Sequence, residues 1–262
     1  MTKKAQNYVK MLNVKLSSSS IDSLLAEIEL RLVHRLKTII FTPNPEFLVY
    51  GYHHPDFSRI FNQADFNLPD GVGIIIWNQI ARWIHTLSKA RAHQDAPLQR
   101  IPGSLLTGKL LHLANQQHWQ IGIAGARRGE KIDQQEQIKR LRQCYPGARI
   151  LNLDEKFAVR NSNFETNSQL TTRNSKIDLI LACHGMVKQE KWLLANKDKI
   201  NGTVFLAIGG SLDYLTGFAS KPPAWVQNYG LEWFWRLLTQ PGHLPRVWRA
   251  TVEFSWLMLK SI

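Results

Sequence analysis

The sequence predicts an α/β fold with a mostly parallel sheet, followed by a helical appendage rich in tryptophan and arginine. Short buried-looking strands alternate with segments of helical spacing, and several strands end at glycine or proline. This alternation is typical of a parallel sheet with helices on its faces. The rhythm stops at residues 221–223. We therefore expect an α/β domain over residues 1–220 and an appendage over residues 221–262.

The N-terminal part of the chain opens with a strand over residues 8–14 and a helix over residues 24–36, which together would form a βα unit. The helix is predicted from its apolar spacing and from the serines that precede it and can cap its first turn. A buried-looking strand over residues 38–42 ends at two prolines, which block helix continuation. A helix-like stretch over residues 45–62 follows.

The rest of the α/β part contains a helix over residues 73–84, a polar loop over residues 85–99 and renewed helical spacing over residues 105–113. Strand and helix patterns then alternate to the end of the domain. The strands are residues 120–126, 149–153, 177–182 and 203–208, and the helices cover residues 131–143 and a segment from Lys188.

One short turn carries the leading catalytic candidate, Asp70, which stands between Pro69 and Gly71 ahead of an apolar run. Proline fixes its own φ, and glycine lets the backbone take a positive φ or approach a ligand closely. The turn can therefore present the acid at a cleft. The alternative is that Asp70 caps the following helix, because Asp is a preferred N-cap residue.

Polar residues and glycines follow several predicted strands. The carboxyl ends of parallel strands meet at one edge of a sheet, where open α/β folds bind ligands. A glycine turn or a helix start at that edge suits a phosphate. For Lys188 and Gln189 the alternative is a plain solvated first turn of a helix. These candidates are Thr42, Asn44, Gly209, Gly210, Asp213, Lys188 and Gln189.

The charge balance indicates an anionic partner. The chain has 33 Lys and Arg against 20 Asp and Glu, a formal net charge of +13. Nucleic acid, an acidic membrane face and a phosphorylated substrate all fit this charge. Cys144 and Cys183 lack paired or metal-ligand spacing, the histidines show no zinc motif, and no apolar targeting segment follows the N-terminus. We therefore expect a cytoplasmic protein without a metal site.

The appendage combines aromatic rings with cations. Its segment from Arg246 onward is amphipathic, mostly apolar and too short to span a bilayer, so it is suited to lying on a membrane surface. Protein packing is an alternative, and single-stranded nucleic acid ranks below both because the apolar content is high. The residues concerned are Trp225, Trp233, Trp235, Trp248 and Trp256 with Arg236, Arg246 and Arg249.

Taken together, these segments resemble the WecG/TagA/CpsF family, glycosyltransferase family 26. The resemblance covers most of the chain, and its stretches are more specific jointly than singly. The matching stretches are residues 42–46, 64–73, 100–103, 188–192, 209–217 and 223–237. The resemblance implies a Rossmann-like enzyme that moves an N-acetylmannosamine-type residue from a UDP-sugar to polyprenyl-diphosphate-linked N-acetylglucosamine. It also implies inversion, no metal and no cofactor besides the donor.

The family's functional residues map onto this chain one by one. The resemblance implies that Asp70 is the general base, that Thr42 and Asn44 line the donor pocket, and that Arg100 and Gln189 lie near the sugar nucleotide. It further implies that arginines of the appendage approach the diphosphate and the membrane. These are Arg236, with a firm match, and Arg246 and Arg249, with looser ones.

The same resemblance implies that the protein acts on the inner face of the cell membrane in surface polysaccharide synthesis, without binding nucleic acid. It leaves open whether the chain works alone or as a homo-oligomer. The chain departs from the family at Leu105, where an acid is usual, and at Met186 and Val187, where a proline is usual. These departures bear on the identity of the donor sugar and the acceptor.

Two alternatives belong to other classes. The first is a basic membrane-surface or nucleic-acid binding protein that has lost catalysis. The second is a nucleotide-dependent oxidoreductase on a similar sheet, which is disfavoured because no G-x-G-x-x-G fingerprint opens a βα unit.

Overall fold

The computed structural model describes residues 8–88, 96–129, 131–154, 176–220, 222–223, 225–226, 234–235 and 244–261. The chain divides into two compact units. The first unit contains Met1–Ile21, Thr42–Pro102 and Lys221–Ile262, and the second contains Asp22–Phe41 and Gly103–Ser220.

The described strands are β1 (Tyr8–Met11), β2 (Val14–Ser17), β3 (Thr38–Phe41), β4 (Phe66–Asn67), β5 (Gln120–Ala124), β6 (Arg149–Asn152), β7 (Ile177–Ala182) and β8 (Gly202–Ala207). The helices up to residue 220 are α1 (Ile21–Val33), α2 (Pro45–His53), α3 (Pro55–Phe61), α4 (Val72–Ser88), α5 (Gly103–Gln116), α6 (Lys131–Cys144), α7 (Lys188–Asn196) and α8 (Ser211–Leu215). A helical segment near the C-terminus consists of α9 (Leu244–Trp248), a π-helical turn (Arg249–Glu253) and α10 (Phe254–Ser261).

The second unit is built on a parallel sheet. Its strands lie in the order β3-β8-β7-β5-β6, and every neighbouring pair in that order is parallel. Nearly all side chains of β3, β7 and β8 are buried, as expected for strands that are covered on both faces. Helix α6 packs on β6, and α7 packs on β7 and β8. The predicted α/β fold with a mostly parallel sheet is confirmed.

The first unit begins with a hairpin, and here the prediction of one strand over residues 8–14 in a βα unit is wrong. Strands β1 and β2 pair in antiparallel fashion, with Met11 opposite Val14. Leu12 and Asn13, which join them, both have positive φ values of 43° and 68°. A two-residue turn with two positive φ angles matches the twist of a hairpin, and Asn tolerates that conformation well.

The single helix predicted over residues 45–62 is also wrong, because the chain forms α2 and α3 instead. Pro55 lacks an N–H and restricts the residue before it, so His54 leaves the helical conformation at φ −125° and ψ 84°. Helix α4 extends to Ser88, into the stretch predicted as a loop over residues 85–99. Residues 89–95 of that loop lie outside the described residues.

The C-terminal helical segment belongs to the first unit, together with α2 and α4. Val247, Phe254, Leu257 and Met258 are its buried side chains. The predicted boundary between residues 220 and 221 coincides with the point where the chain passes from the second unit to the first. A separately organised appendage over residues 221–262 stays a prediction.

Candidate active site

The backbone of the Asp70 turn is held from both sides within the first unit. The Asp70 N–H donates to the Pro43 carbonyl at 2.8 Å, and the Ile101 N–H donates to the Pro69 carbonyl at 2.9 Å. Leu68 is fully buried, whereas Asp70 is partly exposed. The turn therefore presents a carboxylate at the surface from an anchored backbone, two residues before α4 begins.

Gly71 is the residue that lets this turn close. Its φ is +149°, a conformation that side-chain-bearing residues rarely adopt, and an added Cβ would lie 2.7 Å from Pro45 Cδ. Gly73 has more room, since its Cβ would lie 3.3 Å from Pro45 Cγ and 3.7 Å from Phe254. The first glycine is therefore required by both conformation and space, and the second is less constrained.

The segment that contains Thr42 and Asn44 lies beside this turn. Asn44 is the N-cap of α2, where its Oδ1 accepts a hydrogen bond from the Phe47 N–H at 3.1 Å. A Cβ at Gly71 would lie 3.8 Å from Asn44 Cβ. Thr42 is partly exposed and directly follows β3. Asn44 thus has a structural task, and the donor-pocket role of both residues stays a prediction.

Arg100 lies on a third segment of the same unit. It directly precedes Ile101, whose N–H holds the Pro69 carbonyl, and it is partly exposed. The structure therefore places Asp70, Asn44 and Arg100 on neighbouring, hydrogen-bonded segments.

A buried carboxylate connects this region to the C-terminal segment. Glu46, in the first turn of α2, has a side chain that is 6% exposed. Arg246 Nε lies 3.1 and 2.9 Å from its two carboxylate oxygens, and Arg246 Nη2 lies 2.9 Å from Oε2. Arg249 Nη2 lies 3.8 Å from Oε1. One carboxylate therefore faces two guanidinium groups, so the cluster keeps a net positive charge.

Other contacts hold the same segment in the first unit. Trp77 Nε1 of α4 donates to Ser255 Oγ at 3.2 Å, and His53 Nε2 of α2 lies 2.7 Å from Glu253 Oε1. Within the segment that was predicted to suit a membrane surface, the side chains of Val247, Phe254 and Leu257 are buried. The exposed apolar side chains recur every three or four residues: Leu244, Trp248, Val252, Trp256 and Leu259.

These five side chains form an exposed stripe along the segment. In an α-helix, steps of four residues drift around the axis, because a turn has about 3.6 residues. The π-helical turn at Arg249–Glu253 has i→i+5 hydrogen bonds and so more residues per turn, which offsets that drift. In the part of the chain that the structure describes, no helix is long and apolar enough to cross a membrane.

The second unit brings three strand ends together at the carboxyl edge of its sheet. The Cys183 N–H after β7 donates to the Ala124 carbonyl of β5 at 2.8 Å, and the Ile208 N–H after β8 donates to the Ala182 carbonyl of β7 at 3.0 Å. Gly209, which follows, has a φ of +54° and open space around its Cα. This is the edge where α/β sheets bind ligands.

The His184 ring lies at this edge of the sheet, next to Gly125. A Cβ at Gly125 would lie 2.5 Å from the His184 ring, so only glycine fits beneath it. The ring also stacks on Trp192, with 5.2 Å between centroids. Burial lowers the pKa of His184, which favours a neutral ring near pH 7.

Gln189 links α7 to the turn after β8. Its Oε1 accepts the Gly209 N–H at 3.0 Å, and its Nε2 donates to Glu190 Oε1 at 2.7 Å. Both side chains are buried, at 2% and 1% exposure. Burial raises the pKa of Glu190 to about 7, against the opposing effect of the Gln189 hydrogen bond. Lys188, by contrast, is exposed at the first residue of α7.

The turn before α7 holds an unusual backbone. Val187 has φ 70° and ψ −46°, which is an outlier for a β-branched residue. A proline cannot adopt this conformation, because its ring holds φ near about −65°. A proline could therefore not replace Val187 without a change of the local backbone.

Asp213 has protein partners on the same unit. Its Oδ1 accepts from Gln137 Nε2 at 2.8 Å and lies 3.2 Å from Arg127 Nη1. Arg127 also lies 3.2 Å from Asp133 and stacks over the Phe218 ring. The predicted contact of Asp213 with substrate stays a prediction.

The predicted site residues thus fall into two groups, one in each unit. Thr42, Asn44, Asp70, Arg100, Arg246 and Arg249 belong to the first, and Lys188, Gln189, Gly209, Gly210 and Asp213 belong to the second. Arg236 lies outside the described residues. No group of three or more His, Cys, Asp and Glu side chains suited to a metal occurs among the residues that the structure describes.

Sequence reasoning missed the two buried glutamates. Glu46 and Glu190 lie inside the stretches that carried the resemblance, at residues 42–46 and 188–192, but neither was assigned a role. Glu190 directly follows Gln189 and Glu46 lies two residues after Asn44, so closeness in the sequence to a predicted binding residue was the local signal for both. The partners of Glu46 are 200 residues away in the chain, so no local pattern could identify them.

Comparisons with known proteins identify the family of this chain. The chain matches the Glycosyl transferase WecG/TagA/CpsF family over residues 9–262. It is 27% identical, over 202 residues, to an N-acetylglucosaminyldiphosphoundecaprenol N-acetyl-beta-D-mannosaminyltransferase of Staphylococcus aureus strain NCTC 8325, covering 76% of this chain and 71% of the relative. The protein of the same name from strain MRSA252 is 26% identical over the same shares. The chain therefore belongs to the WecG/TagA/CpsF family and is a glycosyltransferase.

Proposed function

We propose that this enzyme transfers an N-acetylmannosamine-type residue from a UDP-sugar to a polyprenyl-diphosphate-linked N-acetylglucosamine, with inversion and without a metal. The relatives' names supply the transferred sugar and the lipid-linked acceptor. The observation that carries the proposal is the Asp70 turn, in which hydrogen bonds at Asp70 and Ile101 and the confined Gly71 hold a partly exposed carboxylate in place.

In this proposal Asp70 is the general base. A carboxylate takes the proton of an acceptor hydroxyl while that oxygen attacks the anomeric carbon of the donor. The new carbon–oxygen bond forms as the bond to the diphosphate oxygen breaks, and UDP leaves with the electron pair. Attack from the face opposite the leaving group inverts the anomeric configuration. A well-placed base contributes about 10²- to 10⁴-fold to the rate.

The leaving diphosphate needs positive charge. Arg246 and Arg249 share a single buried carboxylate, Glu46, and so retain a net positive charge beside the start of α2, where Asn44 is the N-cap. Guanidinium groups pair with phosphate oxygens in bidentate geometry. We assign the stabilisation of the diphosphate to these arginines and to Arg100, with Arg236 and Lys188 as further candidates.

The same segment is proposed to place the enzyme on the membrane that carries its acceptor. The exposed stripe is 48% to 62% accessible in each side chain, and it includes Trp248 and Trp256. Lys260 Nζ lies 4.8 Å from the Trp256 ring centroid. Aromatic rings beside cations suit the headgroup region of an anionic bilayer. This supports peripheral association with the inner face of the cell membrane.

The proposal is tested by measuring UDP release from a panel of UDP-sugars, with EDTA present and a short polyprenyl-diphosphate-linked N-acetylglucosamine as acceptor. The expected result is acceptor-dependent release from UDP-N-acetylmannosamine, with an inverted anomeric centre in the product by NMR. Release from another UDP-sugar alone would overturn the donor assignment. Loss of release in EDTA that magnesium restores would overturn the metal-free mechanism, and no release from any donor would overturn the function.

A further inference from the structure

A buried carboxyl group lies beside Gln189, where the proposed mechanism gives it no task. Glu190 is 1% exposed, and its Oε1 accepts a hydrogen bond from Gln189 Nε2 at 2.7 Å. The other oxygen, Oε2, is buried without a hydrogen-bond partner among the residues that the structure describes. Among the residues that the structure describes, its short side-chain hydrogen bond comes from Gln189, and the backbone N–H groups of Val187 and Glu190 also interact with the carboxyl group.

This hydrogen bond selects one orientation of the Gln189 amide. A side-chain amide has a donor end and an acceptor end, which a rotation of the group exchanges. The Gly209 N–H requires the acceptor end, since it donates to Gln189 Oε1 at 3.0 Å. The Glu190 carboxyl group offers an acceptor oxygen to the amide whether it is charged or neutral, so it holds the donor end toward itself. The two hydrogen bonds therefore have one direction of donation, from the Gly209 N–H to Gln189 and from Gln189 to Glu190.

A helix cap accounts for part of this arrangement, because Glu190 is the third residue of α7 and its carboxyl group interacts with the backbone N–H of Val187, the N-cap residue. Burial of a carboxylate with one oxygen unpaired is costly, and an apolar side chain of similar volume would avoid that cost. The same turn also contains the strained Val187 backbone. Strain and unpaired polar groups persist where the surrounding structure fixes a geometry that function uses.

We propose that Glu190 is a positioning residue for donor binding, which fixes the Gln189 amide and, through it, the Gly209-Gly210 turn at the carboxyl end of β8. The inference rests on the proposed function for the nature of the donor, a sugar nucleotide. The turn offers it open space, since an added Cβ at Gly209 would meet no atom of the described residues within 4 Å. Backbone groups of such a turn approach a phosphate or sugar closely.

The experiment combines hydrogen–deuterium exchange at the peptide containing Gly209 with calorimetric binding of UDP. Glu190→Met removes the acceptor at similar length, and Glu190→Gln keeps an acceptor oxygen. Leu193→Ala is the matched control, because Leu193 is fully buried on the same helix but outside this hydrogen-bond chain. Glu190→Asp, which withdraws the carboxylate by one methylene, serves if E190M does not fold.

We expect E190M, or E190D in its place, to accelerate exchange at Gly209 and to weaken UDP binding by about five- to tenfold each, as for the loss of one hydrogen bond. E190Q should stay within about threefold of the wild type in both measurements, because its amide oxygen restores the acceptor. L193A should lower the melting temperature while leaving UDP binding unchanged. A structural role alone would instead weaken binding in L193A as in E190M.

Wild-type protection and UDP affinity in folded E190M would overturn the inference, and so would equal damage in E190Q and E190M. Failure of the proposed function gives a different result. In that case wild-type protein binds no UDP, while exchange at Gly209 in E190M still decides whether Glu190 holds the turn.

Discussion

The two units hold their candidate residues in different ways. In the first unit, Glu46 pairs with Arg246, which is 200 residues away in the chain. The backbone of the Asp70 turn is confined where Gly71 lies against Pro45. In the second unit, the buried Gln189 side chain of α7 accepts a hydrogen bond from the Gly209 N–H after β8 and donates one to Glu190. The candidate residues of the first unit therefore depend on a confined backbone and on ion pairs between distant parts of the sequence. Those of the second unit depend on the buried hydrogen bonds that join Glu190, Gln189 and Gly209.

The buried Glu190 carboxyl group should lower the free energy of unfolding when it is charged. The folded-state pKa of Glu190 is raised to about 7 from the usual 4.5, so the folded protein binds this proton more tightly than the unfolded chain. Stability from this group is present below pH 4.5 and is lost as pH rises toward 7. We expect E190Q to be more stable than wild type by up to about 3 kcal/mol at pH 8, with the gain vanishing by pH 4.5. Urea unfolding at both pH values measures this, and a difference independent of pH would contradict the assignment.

A side chain at Gly71 should displace the Asp70 turn and lower the rate of the enzyme. Gly71→Ala places a Cβ 2.7 Å from Pro45 Cδ at a φ of +149°, so the turn must move. A displacement of about 1 Å at a catalytic group costs on the order of 10²-fold in rate. We expect that loss in kcat/KM, measured by UDP release. Gly73→Ala, where the nearest atom would be 3.3 Å away, should lose far less. Equal losses in the two variants would show that Gly71 has no special role.

The ion pair at Glu46 should hold the C-terminal segment in place. Glu46→Gln removes the charge that faces Arg246 and Arg249 while keeping the side-chain volume. Loss of a charge-assisted hydrogen bond, worth roughly 1.5 kcal/mol, should raise local opening about tenfold. Trypsin cleavage within the segment measures that opening. Glu253→Gln, which removes the more exposed contact with His53, is the control and should change cleavage less.

The exposed stripe should produce the smallest of these effects. Trp248→Ser removes one aromatic ring from it and should lower co-sedimentation with phosphatidylglycerol vesicles several-fold. Tyr8→Ser, an exposed aromatic residue on β1, should leave vesicle binding unchanged. Unchanged binding of W248S would contradict a membrane-facing stripe.

The contrast between the units also explains what the sequence could predict. Buried runs such as β7 and β8 were identified because a parallel strand carries its own apolar signal. The hairpin was missed because Leu12 and Asn13 form its turn without the usual glycine. One helix was predicted where there are two, because the helical spacing continues on both sides of Pro55. Asp70 was singled out from its local Pro and Gly neighbours. The pairing of Glu46 with Arg246 could not be, because only the tertiary fold brings them together.

The most direct test of the account compares Asp70→Asn with Asp56→Asn in acceptor-dependent UDP release and in UDP binding. Asp56 is a surface carboxylate that pairs with Arg59 in α3, and its side chain is 92% exposed. The account predicts that D70N loses about 10²- to 10⁴-fold in kcat with unchanged UDP affinity, because only the proton acceptor is removed. D56N should match the wild type. Wild-type turnover by D70N would contradict the assignment of Asp70 as the base.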